Sequence, residues 1–227
     1  IDKFFYKYKK DKNFIGFNIT IPYKENFIGL CDKVTARAKK IGSVNLTYKK
    51  NNLVYGDNTD VLGFDKTFNF LKIKNTRTVL MIGAGGAARA ILYYLNKKSI
   101  ENIDIFATST KRKKDLSKKF KFKNFLTKSS HLKKRYDLII NASSAGMSKD
   151  NKINRNILYL VKKASGVIDI VYNPIETDLL KEAKKHSVKS SNGLKMLVEQ
   201  AKPSYERWCG NKIKIDSEIY QKLLRNI

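Results

Sequence analysis

Residues 78–97, TVLMIGAGGAARAILYYLNK, constrain the fold more than any other stretch of the chain. Thr78 to Ile82 is a short apolar run with β-branched residues, which suits a strand covered on both faces. A glycine turn follows, and then an amphipathic stretch from about Ala87 to Asn96 that predicts a helix. Gly83, Gly85 and Ala88 fit the pattern G-x-G-x-x-G/A between the two. Each residue type has a physical reason. Gly83 allows a tight turn, Gly85 lets the backbone approach a pyrophosphate, and Ala88 is small enough for the helix to pack close to the strand. The free N–H groups and the positive end of the helix dipole then face the anion. The stretch predicts a dinucleotide turn; the bland alternative is a glycine-rich turn with no ligand.

The chain after this turn keeps a strand–helix rhythm. Ile103 to Ala107 reads as a strand, Lys111 to Phe120 as a helix and Asp137 to Asn141 as a strand, followed by the small-residue turn 142–147. Val167 to Tyr172 is another strand and Thr177 to His186 another helix. Such alternation predicts a parallel sheet with right-handed crossovers. Gly193 to Cys209 reads as a long helix, apolar at Leu194, Leu197, Val198, Ala201, Tyr205 and Trp208, and Asp216 to Ile227 as a last amphipathic one.

The chain before the turn is patterned differently. Residues 1–12 predict a helix ending near Asp11, and Phe14 to Ile21 alternates like a strand stopped by Pro22. Tyr23 to Glu25 open a turn into a helical stretch, and Thr35 to Ile41 is a second short helix. Ser43 to Tyr48 and Asn52 to Gly56 form a hairpin around Lys50-Asn51-Asn52. The polar stretch GDNTDVLGF (56–64) leads into a helix from about Val61 to Leu71, and Lys72 to Arg77 is the best candidate domain boundary.

A length of 227 residues allows one large domain or two small ones with a real core. The sequence starts at Ile1 in place of Met, so a leading segment is expected to precede it. No 18-residue apolar stretch exists, so no membrane span is expected, and no basic-then-apolar leader is visible. Cys31 and Cys209 are too few for a disulfide framework, which favours the cytoplasm, and neither has a nucleophile's setting. His131 and His186 lack partners at metal-ligand spacing and read as surface residues; no metal is expected. The net charge of +27, from 47 Lys and Arg against 20 Asp and Glu, would suit nucleic acid. The lysines are scattered in pairs such as Lys9-Lys10 and Lys162-Lys163, however, and no zinc-finger, RNP-like or leucine-zipper pattern occurs. Nucleic acid is therefore not the expected partner, though the field favours anionic ligands.

Seven stretches, in order, carry a resemblance. They are GFNITIPYKE (16–25), IGSVN (41–45), GDNTDVLGF (56–64), GAGGAARA (83–90), NASSAGM (141–147), DIVYNPIETDLL (169–180) and NGLKMLVEQA (192–201). Together they resemble the shikimate dehydrogenase family over nearly the whole chain. The resemblance implies NADPH-dependent reduction of 3-dehydroshikimate to shikimate, in the pathway to aromatic amino acids. It also implies an α/β fold of two domains, with ligands in the cleft between them. These are an N-terminal α/β substrate domain (1–72 plus about 201–227) and a Rossmann-type NADP-binding domain (73–200), the C-terminal helices returning to the first. The family's carboxylate-gripping serine pair, which precedes the FNITIPYK strand, has no counterpart here, again pointing to a missing start.

Lys24 and Asp60 match the family's catalytic pair. Reducing a ketone leaves an alkoxide that needs a proton donor in hydrogen-bond reach, and an ammonium beside a carboxylate can donate and also stabilise the oxyanion. Outside that motif context Lys24 would read as a surface lysine and Asp60 as a helix N-cap. Thr20, Asn45, Asn58, Tyr172 and Gln200 match positions that hydrogen-bond the substrate's hydroxyls and carboxylate. Neutral polar side chains suit a polyol, because a missing hydroxyl would leave buried partners unpaired.

Gly83, Ala84, Gly85, Gly86 and Ala87 match the cofactor-phosphate turn; Ile170 and Gly193 match positions near the nicotinamide. Asn141 and Met147 sit on the crossover at the sheet's carboxyl edge. NAD-binding folds usually place Asp or Glu at the end of the second strand. Here that strand ends Phe106-Ala107-Thr108-Ser109-Thr110, without a carboxylate, and Lys111-Arg112-Lys113-Lys114 follow, a setting for a phosphate. The family's usual N-R-T reads Ala107-Thr108-Ser109, so its first arginine is lost while Arg112 is retained. NADP is thus favoured over NAD, with Thr108 and Arg112 at its 2′-phosphate, unless 111–114 are only a solvated helix start. The alternatives are an NAD-using quinate/shikimate dehydrogenase, a basic nucleic-acid-binding protein on a Rossmann scaffold, and a fragment without its substrate clamp. A monomer or homodimer is expected.

Overall fold

The computed structural model describes residues 1–225, so the last two positions of the predicted C-terminal helix, Asn226 and Ile227, lie outside the described residues. The chain runs α1 (Asp2–Lys10), β1 (Gly16–Asn18), α2 (Phe27–Leu30), β2 (Lys33–Val34), α3 (Ala36–Ile41), β3 (Leu46–Lys50), β4 (Leu53–Asp57) and α4 (Asp60–Phe70). A regular series follows: β5 (Val79–Ile82), α5 (Gly86–Lys97), β6 (Ile103–Phe106), α6 (Lys113–Ser117), β7 (Asn124–Leu126), β8 (Leu138–Asn141), α7 (Arg155–Val161), β9 (Gly166–Asp169), α8 (Asp178–Lys185) and β10 (Lys189–Ser191). Two helices close it, α9 (Gly193–Cys209) and α10 (Ser217–Arg225).

The second half forms one parallel sheet of six strands, in the order β10-β9-β8-β5-β6-β7. Every residue of β5, β8 and β9 is buried. One face packs Val79, Met81, Ile105 and Ile140 against Ile91, Leu92 and Leu95 of α5; the other packs Leu80, Ile82 and Ile139 against Ile157 of α7 and Leu179 of α8. Helices on both faces of a strand order that reverses between β5 and β8 define a doubly wound fold, which opens a crevice beyond the carboxyl ends of those two strands. The predicted glycine turn sits there.

The first half forms a smaller sheet, β1-β3-β4-β2, antiparallel except for β2 with β4. Asn51 and Asn52 both hold positive φ in the β3–β4 turn, which fits the tight hairpin predicted there. Its core is aromatic, with Phe5, Tyr8, Phe17 and Phe27 meeting edge to face at 4.7–5.6 Å between ring centroids. Helix α4 joins the halves: Phe64 packs edge to face on Tyr94 of α5, and α4 also lies against α9.

Several elements differ from their sequence reading, for local reasons. The strand expected over Phe14 to Ile21 is regular only over Gly16–Asn18. Single bonds from Lys49 N to Ile15 O and from Ile19 N to Asn45 O flank it, and the chain then turns with Tyr23 N on Thr20 O. The expected helix Lys111 to Phe120 is a 3₁₀ turn (Thr110–Arg112), set by the Ser109 side chain accepting from Lys111 N, followed by the short α6. Strand β9 stops at Asp169; Ile170 N still donates to Asn141 O of β8, but Val171 N turns back to the Asp169 side chain and the chain leaves the sheet there. The short strands β2, β7 and β10 and helix α7 were not marked by the sequence pattern.

Candidate active site

Lys24 lies on a 3₁₀ turn (Tyr23–Glu25) and Asp60 opens α4. The turn is tied to β3's approach by Val44 N donating to Lys24 O at 2.7 Å. Lys24 Nζ donates to Asp60 Oδ2 at 2.8 Å, with the side chains only 14% and 5% exposed, so this is a charge-assisted bond little screened by water. Asp60 Oδ1 accepts from Asn45 Nδ2 at 2.9 Å. The same Asn45 nitrogen is 2.9 Å from Gln200 Oε1 on α9 and 2.9 Å from Thr59 Oγ1, while Asn45 Oδ1 accepts from Thr59 N at 2.7 Å. One buried amide therefore orients the carboxylate, a helix start and a glutamine from a distant helix.

Lys24, Asp60, Thr20, Asn45, Tyr172 and Gln200 all line one cavity of about 440 Å³. Its floor is the polar network just described; Thr20 and Tyr172 stand exposed at the rim. Asn58 is not brought to this cavity. It is fully buried and donates to Ser43 O and Ser43 Oγ, both at 3.0 Å, because the turn after β4 directs it inward.

A larger cleft of about 690 Å³ opens beside it, lined by Gly83, Ala84, Gly85, Thr108 and Arg112. Ser143 borders both spaces, so the two meet there. Ala87, Ile170 and Gly193 belong to the smaller cavity, on the side towards the cleft's glycine turn. Gly83 has φ +100°, a conformation that side-chain-bearing residues rarely adopt. A Cβ on Gly85 would project into open space, and no side chain caps the start of α5. An uncapped helix N-terminus with a bare backbone facing a cleft fits the phosphates of a dinucleotide. Gly86 lines neither space. Its missing side chain leaves room for Lys24, whose Cβ would lie 3.0 Å from an added Cβ, and its carbonyl accepts from Ser43 Oγ at 3.3 Å. The cofactor helix and the lysine turn are thus in direct contact.

Three residues that the sequence reading missed, Ser43, Glu25 and Asp169, hold this arrangement together. Ser43 links the hairpin to α5 and Asn58, as above. Glu25 accepts from Arg89 Nη2 of α5 at 2.9 Å and is also paired with Arg112. Asp169 ends β9 fully buried; it accepts from Thr177 Oγ1 at 2.6 Å, Asn141 Nδ2 at 2.9 Å and Val171 N at 3.0 Å. Burial pushes its carboxyl up to about 6, against the hydrogen bonds that would lower it. Asn141 also donates to Ala145 O and accepts from Ser143 Oγ, so this cluster shapes both loops that border the cavity, with Met147 exposed at the rim. Glu25 was visible as the residue after Lys24, and Asp169 as a lone acid in an apolar strand; nothing in the spacing gave their partners. Cys31 and Cys209 are free, and burial raises the Cys31 thiol to about 12, which keeps it protonated. Among the described residues no helix is long and apolar enough to cross a membrane.

Residues 1–47 match the family model for the shikimate dehydrogenase substrate binding domain, and residues 66–188 match that for shikimate / quinate 5-dehydrogenase. The shikimate dehydrogenase (NADP(+)) of Caldanaerobacter subterraneus is 37% identical over 215 residues, covering 92% of this chain and 76% of that protein. The chain belongs to the shikimate dehydrogenase family. Solved members of the family superpose closely. The shikimate dehydrogenase of Aquifex aeolicus gives a TM-score of 0.85 at 31% identity, over 99% of this chain and 82% of that one. The Thermus thermophilus shikimate 5-dehydrogenase, solved in complex with NADP(H) and shikimate, gives 0.79 at 25% identity, over 100% and 83%. The two-domain Rossmann-type architecture is that of the family.

Proposed function

We propose that this chain catalyses the reversible NADPH-dependent reduction of 3-dehydroshikimate to shikimate, a step towards aromatic amino acids. The observation that carries the reading is the Lys24–Asp60 pair, 2.8 Å apart, on the wall of a polar-floored cavity that opens onto the glycine-turn cleft. Bound there, NADPH supplies the two electrons and the hydrogen that become the new C–H bond. Gly83, Ala84 and Gly85 would hold its phosphates and Thr108 and Arg112 the 2′-phosphate, while Ala87, Ile170 and Gly193 would lie on the nicotinamide side and Gly86 supports the turn from behind against Lys24. Lys24 gives the carbonyl oxygen its proton as the negative charge develops there. Its ammonium carries three N–H donors; one is committed to Asp60, which fixes the direction of the others. Asp60 is held by Asn45, so the donor is in place before substrate enters and little reorganisation accompanies the step. Thr20, Asn45, Tyr172 and Gln200 bind the substrate's hydroxyls and carboxylate, and Asn58 acts from beneath by fixing Ser43.

Residues 1–72 with about 201–227 form the substrate-binding part and 73–200 the cofactor-binding part, with α9 spanning the junction. All these site residues come from one chain, so a monomer or a homodimer suffices. Two free cysteines fit a cytoplasmic enzyme. The test is a cofactor-by-substrate panel on the purified protein: NADP⁺ or NAD⁺ with shikimate or quinate, followed by the absorbance of the reduced nicotinamide. The largest kcat/KM is expected for NADP⁺ with shikimate. A larger value for NAD⁺ with quinate would overturn the assignment in favour of a quinate enzyme, and no turnover in any combination would remove the enzyme reading.

A further inference from the structure

Glu25 follows Lys24 on the same turn, yet its carboxylate is committed to two guanidiniums and not to the substrate cavity. One oxygen accepts from Arg89 Nη2 at 2.9 Å; the other is paired with Arg112 Nη1. The two arginines differ in kind. Arg89 is rooted in α5 with its side chain 5% exposed, and an unpaired guanidinium at that depth would be strongly unfavourable. That pair is structural. Arg112 is 45% exposed, on the loop after β6, and lines the 690 Å³ cleft together with Thr108 and Ser109. A pair this exposed is weak and exchangeable.

We propose that Glu25 is a specificity-determining residue for the cofactor: its carboxylate competes with the 2′-phosphate of NADP for Arg112. The inference rests on the cofactor reading given above. A guanidinium fork binds a phosphate through two parallel hydrogen bonds, and a phosphate dianion is the stronger acceptor. Sharing Arg112 between both anions would set the carboxylate against the phosphate, so occupancy by one displaces the other. Glu25 keeps Arg89 when Arg112 leaves, so the exchange strands no buried charge. An unphosphorylated nucleotide offers no anion at that place, and Arg112 stays on Glu25. Glu25 therefore reduces the advantage of a 2′-phosphorylated cofactor, and removing its charge sharpens the preference.

Calorimetric titration with 2′,5′-ADP and with 5′-ADP tests this without turnover. Glu25→Gln keeps an acceptor for Arg89 and is expected to tighten 2′,5′-ADP about two- to fivefold, the range for an exposed ion pair, with 5′-ADP unchanged. Arg112→Ala is expected to erase most of the difference between the two ligands, and the Glu25→Gln/Arg112→Ala double variant to behave like Arg112→Ala. If Glu25→Gln unfolds through the unpaired Arg89, Glu25→Gln/Arg89→Met removes both members of the buried pair and is expected to give the same tightening. An unchanged or weakened 2′,5′-ADP affinity in the folded variant overturns the proposal while Arg112 keeps its place at the phosphate. Full discrimination surviving Arg112→Ala overturns the cofactor reading at Arg112, and the proposal with it.

Discussion

The six-stranded sheet and the four-stranded sheet bury different chemistry. In the first, β5, β8 and β9 place apolar side chains on both faces up to Asn141 and Asp169 at the strand ends, and the cleft beyond them opens at the Gly83–Gly85 turn. In the second, β1 buries no residue, and the ground between its sheet and α4 holds Asn45, Asp57, Asn58, Thr59 and Asp60, all 3% exposed or less. Dispersion and apolar burial are non-directional, so the first region is stable through its sum of contacts and tolerates small shifts. Hydrogen-bonded networks are directional, and losing one partner leaves another buried and unsatisfied. The strands of the six-stranded sheet are thus held by volume, whereas the floor around Asp60 and the cluster around Asp169 at the strand ends are held by individual atoms. Where the two halves touch, at Gly86 against Lys24 and at Glu25 against Arg89, a movement in one is felt in the other.

This contrast can be broken by moving stability without moving chemistry. Ile105 is fully buried in β6 between the sheet's neighbours and α5. Ile105→Ala is expected to cost about 2–5 kcal/mol in urea unfolding, with KM for shikimate unchanged in the protein that stays folded. A change in KM larger than the change in stability predicts would mean that the apolar half is also tuned atom by atom.

A smaller effect sharpens it from the side of the loops. The carboxyl of Asp169 is raised to about 6 from 3.8, mainly by burial, so the folded state holds its proton more tightly than the unfolded chain does. Its stabilising contribution is complete below the unfolded value and is lost as pH rises through about 6. That loss is at most about 3 kcal/mol by linkage. Asp169→Asn is expected to flatten the corresponding part of the stability curve between pH 4 and 6, read by denaturant melts at each pH. An unaltered slope in the variant would show that another group carries it.

How much could be read from the sequence follows the same division. The parallel half was legible because buried strands and an amphipathic helix leave periodic apolar runs, and a glycine turn leaves its own spacing. Its edge strands, β7 and β10, were missed because they are short and partly polar, without a period to detect. In the catalytic half the ligand-facing residues came from the family resemblance; a surface lysine looks the same as Lys24 in a chain with 47 basic residues. Asn58 shows the limit of that route, since its position in the motif matched while its side chain turned inward to Ser43. Glu25 and Asp169 escaped because their partners, Arg112 and Arg89 for one and Thr177 and Asn141 for the other, are fixed by tertiary contacts that no local spacing encodes.

Proton transfer by Lys24 is tested most directly by shikimate-dependent NADP⁺ reduction in Lys24→Ala, with 2′,5′-ADP affinity measured in parallel. A loss of kcat of at least about a hundredfold is expected, the usual size of a general acid–base contribution, with the nucleotide affinity retained. Turnover that survives Lys24→Ala unchanged would contradict that role.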